Sequence, residues 1–223
     1  MEINWKNGSI IKILQERTGE NISLHEDYIN PQFAKVLKTI GFDKVYTSAK
    51  GPYLYDAEGN EYLDFLSGYG VFSIGRNHPS IKKILKDFID LDSANLVQME
   101  APLLSGLLAE ALVKRVGIKG VDKVFFTNSG TESIEAAIKF ARAGTGLKRI
   151  LFLEHAFHGL STGSLALNGN EEFRESFGAL LPGCAKVRLN DLEQLGDELK
   201  KEDVAAFFFE PIVLSSLIVV VFG

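Results

Sequence analysis

Hydrophobic positions in the first fifty residues fall at helical spacing in two places. One is Ile10, Ile11, Ile13 and Leu14; the other, beyond a polar stretch through Asn30-Pro31, is Phe33, Val36, Leu37 and Ile40. These predict an N-terminal helical arm. The spacing then shortens: Tyr53-Leu54-Tyr55 and Glu61-Tyr62-Leu63-Asp64-Phe65 are brief β-prone runs joined by Asp56-Ala57-Glu58-Gly59-Asn60. The Gly-Asn pair forms turns readily, so a hairpin is expected. Ser67-Gly68-Tyr69-Gly70 and Gly75-Arg76-Asn77-His78-Pro79 read as loops, and Ser80 is the expected cap of an amphipathic helix to about Leu91. A longer helix is predicted from about Leu103 to Val116, ended by Gly117.

From Val121 the pattern alternates between strands and helices. Strands are predicted at Lys123 to Thr127, Ile150 to Leu153, Ala185 to Leu189 and Ala205 to Phe209, with helices at Ser133 to Ala143 and Asp191 to Leu199. Such alternation implies an α/β layer with a mainly parallel sheet. Ligands of these sheets sit at the carboxyl ends of strands, where both Thr127-Asn128-Ser129-Gly130-Thr131-Glu132 and Phe157-His158 fall.

The Ser129-Gly130-Thr131 turn has two readings. A strand turning sharply into a helix leaves the first helical N–H groups unpaired, at the end where the helix dipole favours an anion. Gly130 lets the backbone approach that anion, and the Ser129 and Thr131 hydroxyls add potential donors. Alternatively, Ser129 is an N-cap and Glu132, three residues on, completes a capping box with nothing bound. Neither Gly-x-Gly-x-x-Gly nor a Walker-type Gly-Lys-Ser/Thr occurs, which disfavours a nucleoside triphosphate.

Composition narrows the picture further. With 46% hydrophobic residues in 223, the chain can bury a sizeable core in one or two domains. A formal net charge of -5 offers no basic surface for nucleic acid or anionic lipid, and Lys82, Lys83 and Lys86 read as a solvated helix face. The single Cys184 excludes an intrachain disulfide, and with no signal-like apolar start a cytoplasmic protein is expected. Of the four histidines only His155 and His158 are close in sequence, in a predicted loop, so no metal site is expected.

Four motifs, in order, carry a resemblance. They are Tyr55-Asp56-Ala57-Glu58-Gly59-Asn60-Glu61-Tyr62-Leu63-Asp64; Asn128-Ser129-Gly130-Thr131-Glu132-Ser133-Ile134-Glu135-Ala136-Ala137-Ile138-Lys139; Ala156-Phe157-His158-Gly159; and Phe209-Glu210-Pro211-Ile212. From Gly51 to about Pro211, about seven tenths of its length, the chain resembles the class-III aminotransferases. These are pyridoxal 5'-phosphate (PLP) enzymes of fold type I that include ornithine, acetylornithine, putrescine and 4-aminobutyrate transaminases. The resemblance implies a large domain with a mainly parallel sheet and flanking helices, incomplete at its C-terminal end. It implies that Ser129, Gly130 and Thr131 hold the cofactor phosphate, that Phe157 stacks on the ring, that His158 shapes the pocket, and that Glu210 lies near the cofactor. Tyr69 and Gly70 align with the substrate-side loop. The implied reaction moves an amino group from an ω-amino or related primary amine to a 2-oxo acid, in a homodimer.

After Ile212 the pattern departs from the family. Val213-Leu214-Ser215-Ser216-Leu217-Ile218-Val219-Val220-Val221-Phe222-Gly223 stands where the family continues toward the pyridine-pairing aspartate and the Schiff-base lysine, and neither has a counterpart. The last two lysines, Lys200 and Lys201, precede the Glu210 strand. The expectation is therefore a truncated or frame-shifted family member with no catalytic lysine, inactive alone. Its alternatives are a non-catalytic partner of a full-length relative, or a fragment of an aminomutase of the glutamate-1-semialdehyde type. The expected divisions are an arm at 1–50, the start of a small domain at 51–97, a partial PLP-binding domain at 98–212, and an apolar, edge-pairing tail at 213–223 that is too short to span a bilayer.

Overall fold

A computed structural model describes residues 10–94, 97, 99–211 and the backbone of 219–222. The chain divides between residues 96 and 97 into two compact units.

The first unit opens with three helices, α1 (Ile10–Glu16), α2 (Asn21–Tyr28) and α3 (Pro31–Ile40). Asn30 starts α3: its side-chain oxygen accepts from the Phe33 N–H at 3.0 Å, and Pro31 takes the first helical position. The strands β1 (Tyr46–Lys50), β2 (Tyr53–Asp56) and β3 (Glu61–Leu63) form an antiparallel sheet in sequence order. The expected hairpin is β2–β3, whereas β1 falls inside the stretch expected to be helical. Its pairing with β2 across Gly51-Pro52 decides its state, and the short polar run Tyr46-Thr47-Ser48-Ala49-Lys50 carries no strong pattern of its own. Helix α4 (Pro79–Ile89) begins at Pro79, so Ser80 lies inside it rather than capping it; the cap position is His78, which makes no side-chain cap bond. Proline's fixed φ favours the first helical position, which sets the start one residue before the expected cap.

The second unit starts with α5 (Leu103–Val116), closed as expected by Gly117 at φ 62°, whose N–H donates to the Val113 carbonyl. The predicted strand from Lys123 to Thr127 does not form. Strands exist by pairing, and the sheet of this unit contains no partner for this run among the described residues. Phe125 is instead exposed, with one edge against Phe140 at 5.1 Å. Helix α6 (Gly130–Thr145) follows, then β4 (Arg149–Leu153), the short α7 (Thr162–Leu165), a 3-10 turn (Glu171–Phe173), β5 (Cys184–Val187), α8 (Leu192–Leu199), β6 (Val204–Phe209) and β7 (Val219–Phe222).

The sheet order is β5-β4-β6-β7, parallel between β5, β4 and β6 and antiparallel between β6 and β7. The parallel part is the α/β layer that the alternation predicts. Of the apolar tail, residues 212–218 and 223 lie outside the described residues, and 219–222 pair along β6. Ile134, Ile138 and Ala141, at helical spacing on α6, pack with Ile150 and Phe152 of β4 and with Ala206 and Phe208 of β6. At the other end of the strands, Arg149 donates to Asp203 at 2.8 Å and to Glu198, fastening α8 to the sheet.

Candidate functional site

Ser129 is extended at φ -152° and caps α6, its hydroxyl accepting from the Glu132 N–H at 3.3 Å. Glu132 reaches back to the Asn128 N–H at 2.7 Å, one residue earlier than a standard capping box. This pairing satisfies the amides of Asn128 and Glu132, and Ser133 N–H donates to the Ser129 carbonyl. The N–H groups of Gly130 and Thr131, the first two helical residues, have no partner among the described residues, nor does that of Ser129. A Cβ placed on Gly130 meets nothing within 4 Å, so the space beside that residue is open. The turn is thus a capped helix start, with the Gly130 and Thr131 donors left over at the positive end of a sixteen-residue helix.

The loop after β4 lies against that helix start. Phe157 is about half exposed and rests edge-on to Phe173 at 5.4 Å. The loop backbone is fastened on two sides. Glu210, buried at the end of β6, accepts from the Phe157 N–H at 2.7 Å. Asn168, fully buried, accepts from the His158 N–H at 2.7 Å and donates to the Gly159 carbonyl at 2.8 Å. Gly159, at φ 120°, sits so close to α6 that a Cβ would fall 2.4 Å from the Thr131 hydroxyl.

His158 is 2% exposed, and neither ring nitrogen has a hydrogen-bond partner among the described residues. Burial pushes its pKa down to about 4, so the ring is neutral near pH 7. Its ring stands edge-on to Phe208 at 6.0 Å.

Ser129, Gly130, Thr131, Phe157, His158 and Glu210 therefore belong to one neighbourhood of the second unit. Two of them make contacts that bear on their roles: the Thr131 hydroxyl lies against Ser161 and Ser164, and Glu210 holds the Phe157 backbone. Tyr69 and Gly70 lie in the first unit, on a loop where both have positive φ. Sequence reasoning missed Asn168, whose signal is a polar residue directly before Gly169, a glycine at which a Cβ would meet the His155 nitrogen at 2.2 Å. A mostly apolar surface groove lies elsewhere, between Ile11, Leu14, Leu24 and Thr47 of the first unit. Chemistry-bearing groups are gathered at the α6 start instead. No group of metal-ligating side chains occurs among the described residues.

Comparison with known proteins agrees with this geometry. The sequence profile of the family "Aminotransferase class-III" matches residues 38–216. The chain belongs to the class-III aminotransferases. An acetylornithine aminotransferase of Aquifex aeolicus is 41% identical over 174 residues, which are 75% of this chain and 45% of that protein. The aminotransferase PigE of a Serratia species is 35% identical over 194 residues, 86% of this chain and 23% of its own length. Among solved structures, a taurine:2-oxoglutarate aminotransferase from Bifidobacterium kashiwanohense, in complex with PLP and glutamate, superposes with a TM-score of 0.73 at 27% identity, over 88% of this chain and 48% of that one. An ornithine aminotransferase of Toxoplasma gondii superposes with a TM-score of 0.78 over 92% of this chain and 49% of that one; at 23% identity it speaks for the fold alone. The fold is that of the fold type I PLP transaminases. The chain spans less than half the length of the curated relatives it matches. Class-III aminotransferases are PLP-dependent, and no helix among the described residues is long and apolar enough to cross a membrane.

Proposed function

We propose that this chain holds the cofactor end of a PLP-dependent transaminase that moves an amino group from a primary amine to a 2-oxo acid. The observation that carries the reading is the pair of unpartnered amides, Gly130 and Thr131, at the capped start of α6. When bound, PLP supplies an aldehyde that condenses with amines and a ring that accepts the electrons released by proton loss. The residues present fit a phosphorylated aromatic ring. The space beside Gly130 is open at the end of the helix where the dipole favours a dianion, and Phe157, its backbone held by Glu210, is a half-exposed aromatic on the adjoining loop.

The chain's own residues bind and orient. Glu132 and Ser129 keep the first turn closed so that its outward amides stay fixed. His158, neutral and buried edge-on to Phe208, adds no charge to the loop. These 223 residues contain no counterpart of the family's cofactor-bonding lysine, so the polypeptide by itself is expected to bind without turnover. A homodimer and a cytoplasmic location go with the same reading, and light scattering of the purified chain tests the former.

The decisive experiment compares pyridoxine 5'-phosphate with pyridoxine. Neither has an aldehyde to react with surface lysines, so calorimetry reads the phosphate contribution alone. The phosphate form is expected to bind at least about tenfold more tightly. Gly130→Pro removes one of the two donors at a position where proline suits the helix, after an extended Ser129 that tolerates a following proline. It is expected to abolish most of that preference. Equal binding of the two compounds by the unaltered chain sinks the reading.

A further inference from the structure

Behind the two outward amides lies a chain of hydroxyls that ends on one carboxylate. Glu135, one turn into α6, accepts at a single oxygen from the Ser161 hydroxyl, from the Gly163 N–H at 2.8 Å and from the Ser164 N–H at 3.0 Å. Thr131 Oγ1 lies 2.8 Å from Ser161 Oγ and 2.6 Å from Ser164 Oγ, and it accepts from the Ser161 N–H at 3.2 Å.

The direction of these bonds follows from what each group can give. A carboxylate only accepts, so Ser161 donates its one proton to Glu135. Ser161 then has none for Thr131, so Thr131 is the donor in that pair, while the Ser164 hydroxyl lies 3.0 Å from Ser161 Oγ and donates to the Ser161 carbonyl at 3.1 Å. The three hydroxyls thus form one connected cluster that ends on Glu135, in which hydrogen bonds polarise one another. The Thr131 hydroxyl is engaged inside this cluster with Ser161 and Ser164.

Packing at two glycines independently shows how close the loop sits to the helix. A Cβ at Gly163 would lie 2.2 Å from Glu135 Oε2, and one at Gly159 would lie 2.4 Å from Thr131 Oγ1 and 2.9 Å from Ser164 Oγ. Ser164 is fully buried, so its amide has no water to turn to if Glu135 is removed.

We propose that Glu135 is a positioning residue: through Ser161, Gly163 and Ser164 its carboxylate fastens the 157–164 loop to the first turn of α6, so that the anion-binding amides and the aromatic face of Phe157 are presented as one site. This rests on the reading that the α6 start holds the cofactor phosphate. Glu135 touches no bound group itself, and it acts through Thr131 and the loop.

The test uses the full chain, with Glu135→Ala, Glu135→Gln and Ser161→Ala beside Gly130→Pro. Two quantities are read: peptide-level hydrogen exchange over 157–165, and the ratio of dissociation constants for pyridoxine and pyridoxine 5'-phosphate. Glu135→Ala is expected to speed exchange of the loop at least about tenfold and to weaken binding of the phosphate form about tenfold. Glu135→Gln keeps an acceptor oxygen and is expected to recover most of both losses, a rescue that general destabilisation does not give. Should Glu135→Ala fail to fold, Ser161→Ala carries the same test with a smaller loss.

If Gly130→Pro loses the phosphate preference while Glu135→Ala keeps it, the function reading stands and the positioning role is overturned. Unchanged loop exchange in Glu135→Ala also overturns it. If the unaltered chain shows no phosphate preference, the reading fails and the inference falls with it.

Discussion

Between residues 10 and 94 the described chain buries only Ala34 and Asp56, whereas between Ile134 and Glu210 it buries a continuous apolar core together with Ser164, His158, Asn168 and Glu210. The first region is a series of local devices. Asp56 collects the Glu58 and Asn60 amides, the Asn60 side chain and the Tyr62 hydroxyl, all within 3.1 Å. Asp64 pairs with Arg76, whose guanidinium lies 4.2 Å from the centre of the Phe72 ring. Each device satisfies polar groups close in space and leaves large apolar side chains such as Phe65 and Ile84 exposed. The second region works by long-range packing, and its buried polar groups join segments far apart in sequence. The candidate site is in the second region because only there do packed elements fix loop backbone from several sides.

The largest expected effect is on the packed region alone. Phe208→Ala removes a fully buried ring from the centre of the sheet and should cost about 3–5 kcal/mol in urea unfolding, while amide signals of the β2–β3 hairpin stay in place. Simultaneous loss of the hairpin would break the comparison by showing one cooperative body.

Acid should separate the regions next. His158 has a folded pKa of about 4 against an ordinary 6.5, so the unfolded chain takes up the proton first as pH falls. Stability of the second region is full above about pH 6.5 and declines by about 3 kcal/mol down to about pH 4, where the folded state also protonates. Asp56 behaves differently. Burial works against its charge, but the hydrogen bonds from Asn60, Tyr62 and Glu58 outweigh it and hold the pKa at about 2. The stability it lends the hairpin is complete above about pH 3.8 and is lost only as pH falls through about 2. Urea midpoints by pH, with separate probes for each region, check the order; a hairpin lost first contradicts it.

A smaller and local change is expected of Asp56→Asn. The new amide nitrogen cannot accept from Tyr62 or Asn60, so exchange protection of the 56–62 turn should fall while the urea midpoint of the sheet stays unchanged. Smallest of all is Lys83→Ala, which removes an exposed i, i+4 pair with Asp87 and should alter stability by less than about 0.5 kcal/mol.

Much of this was legible in residue order, and the reasons differ by element. Helix α5, with its Gly117 stop, and strands β4 and β6 are declared by strong local patterns, so structure and expectation agree within a residue or so. The Lys123–Thr127 run has the right residues for a strand, but strand formation depends on a neighbour that no local pattern supplies. β1 fails in the opposite sense, being weak in pattern and fixed by its pairing with β2. At the site, the capped turn at the start of α6 was readable because caps and glycines are local signals. The roles of Asn168, Ser161 and Glu135 were not, since their partners lie ten to thirty residues away and meet only in the fold.

The two free amides at the start of α6 also bear on how the protein is handled. Donors without an internal partner do not distinguish a cofactor's phosphate from sulfate or phosphate in the medium. Any such ion that occupies them raises the melting temperature, roughly with the logarithm of its concentration once above its dissociation constant, and competes in every binding experiment. Purification and titration in chloride-based, phosphate-free solution therefore give the chain's own stability and affinity, and the difference on adding sulfate is a direct gauge of how open that helix end is.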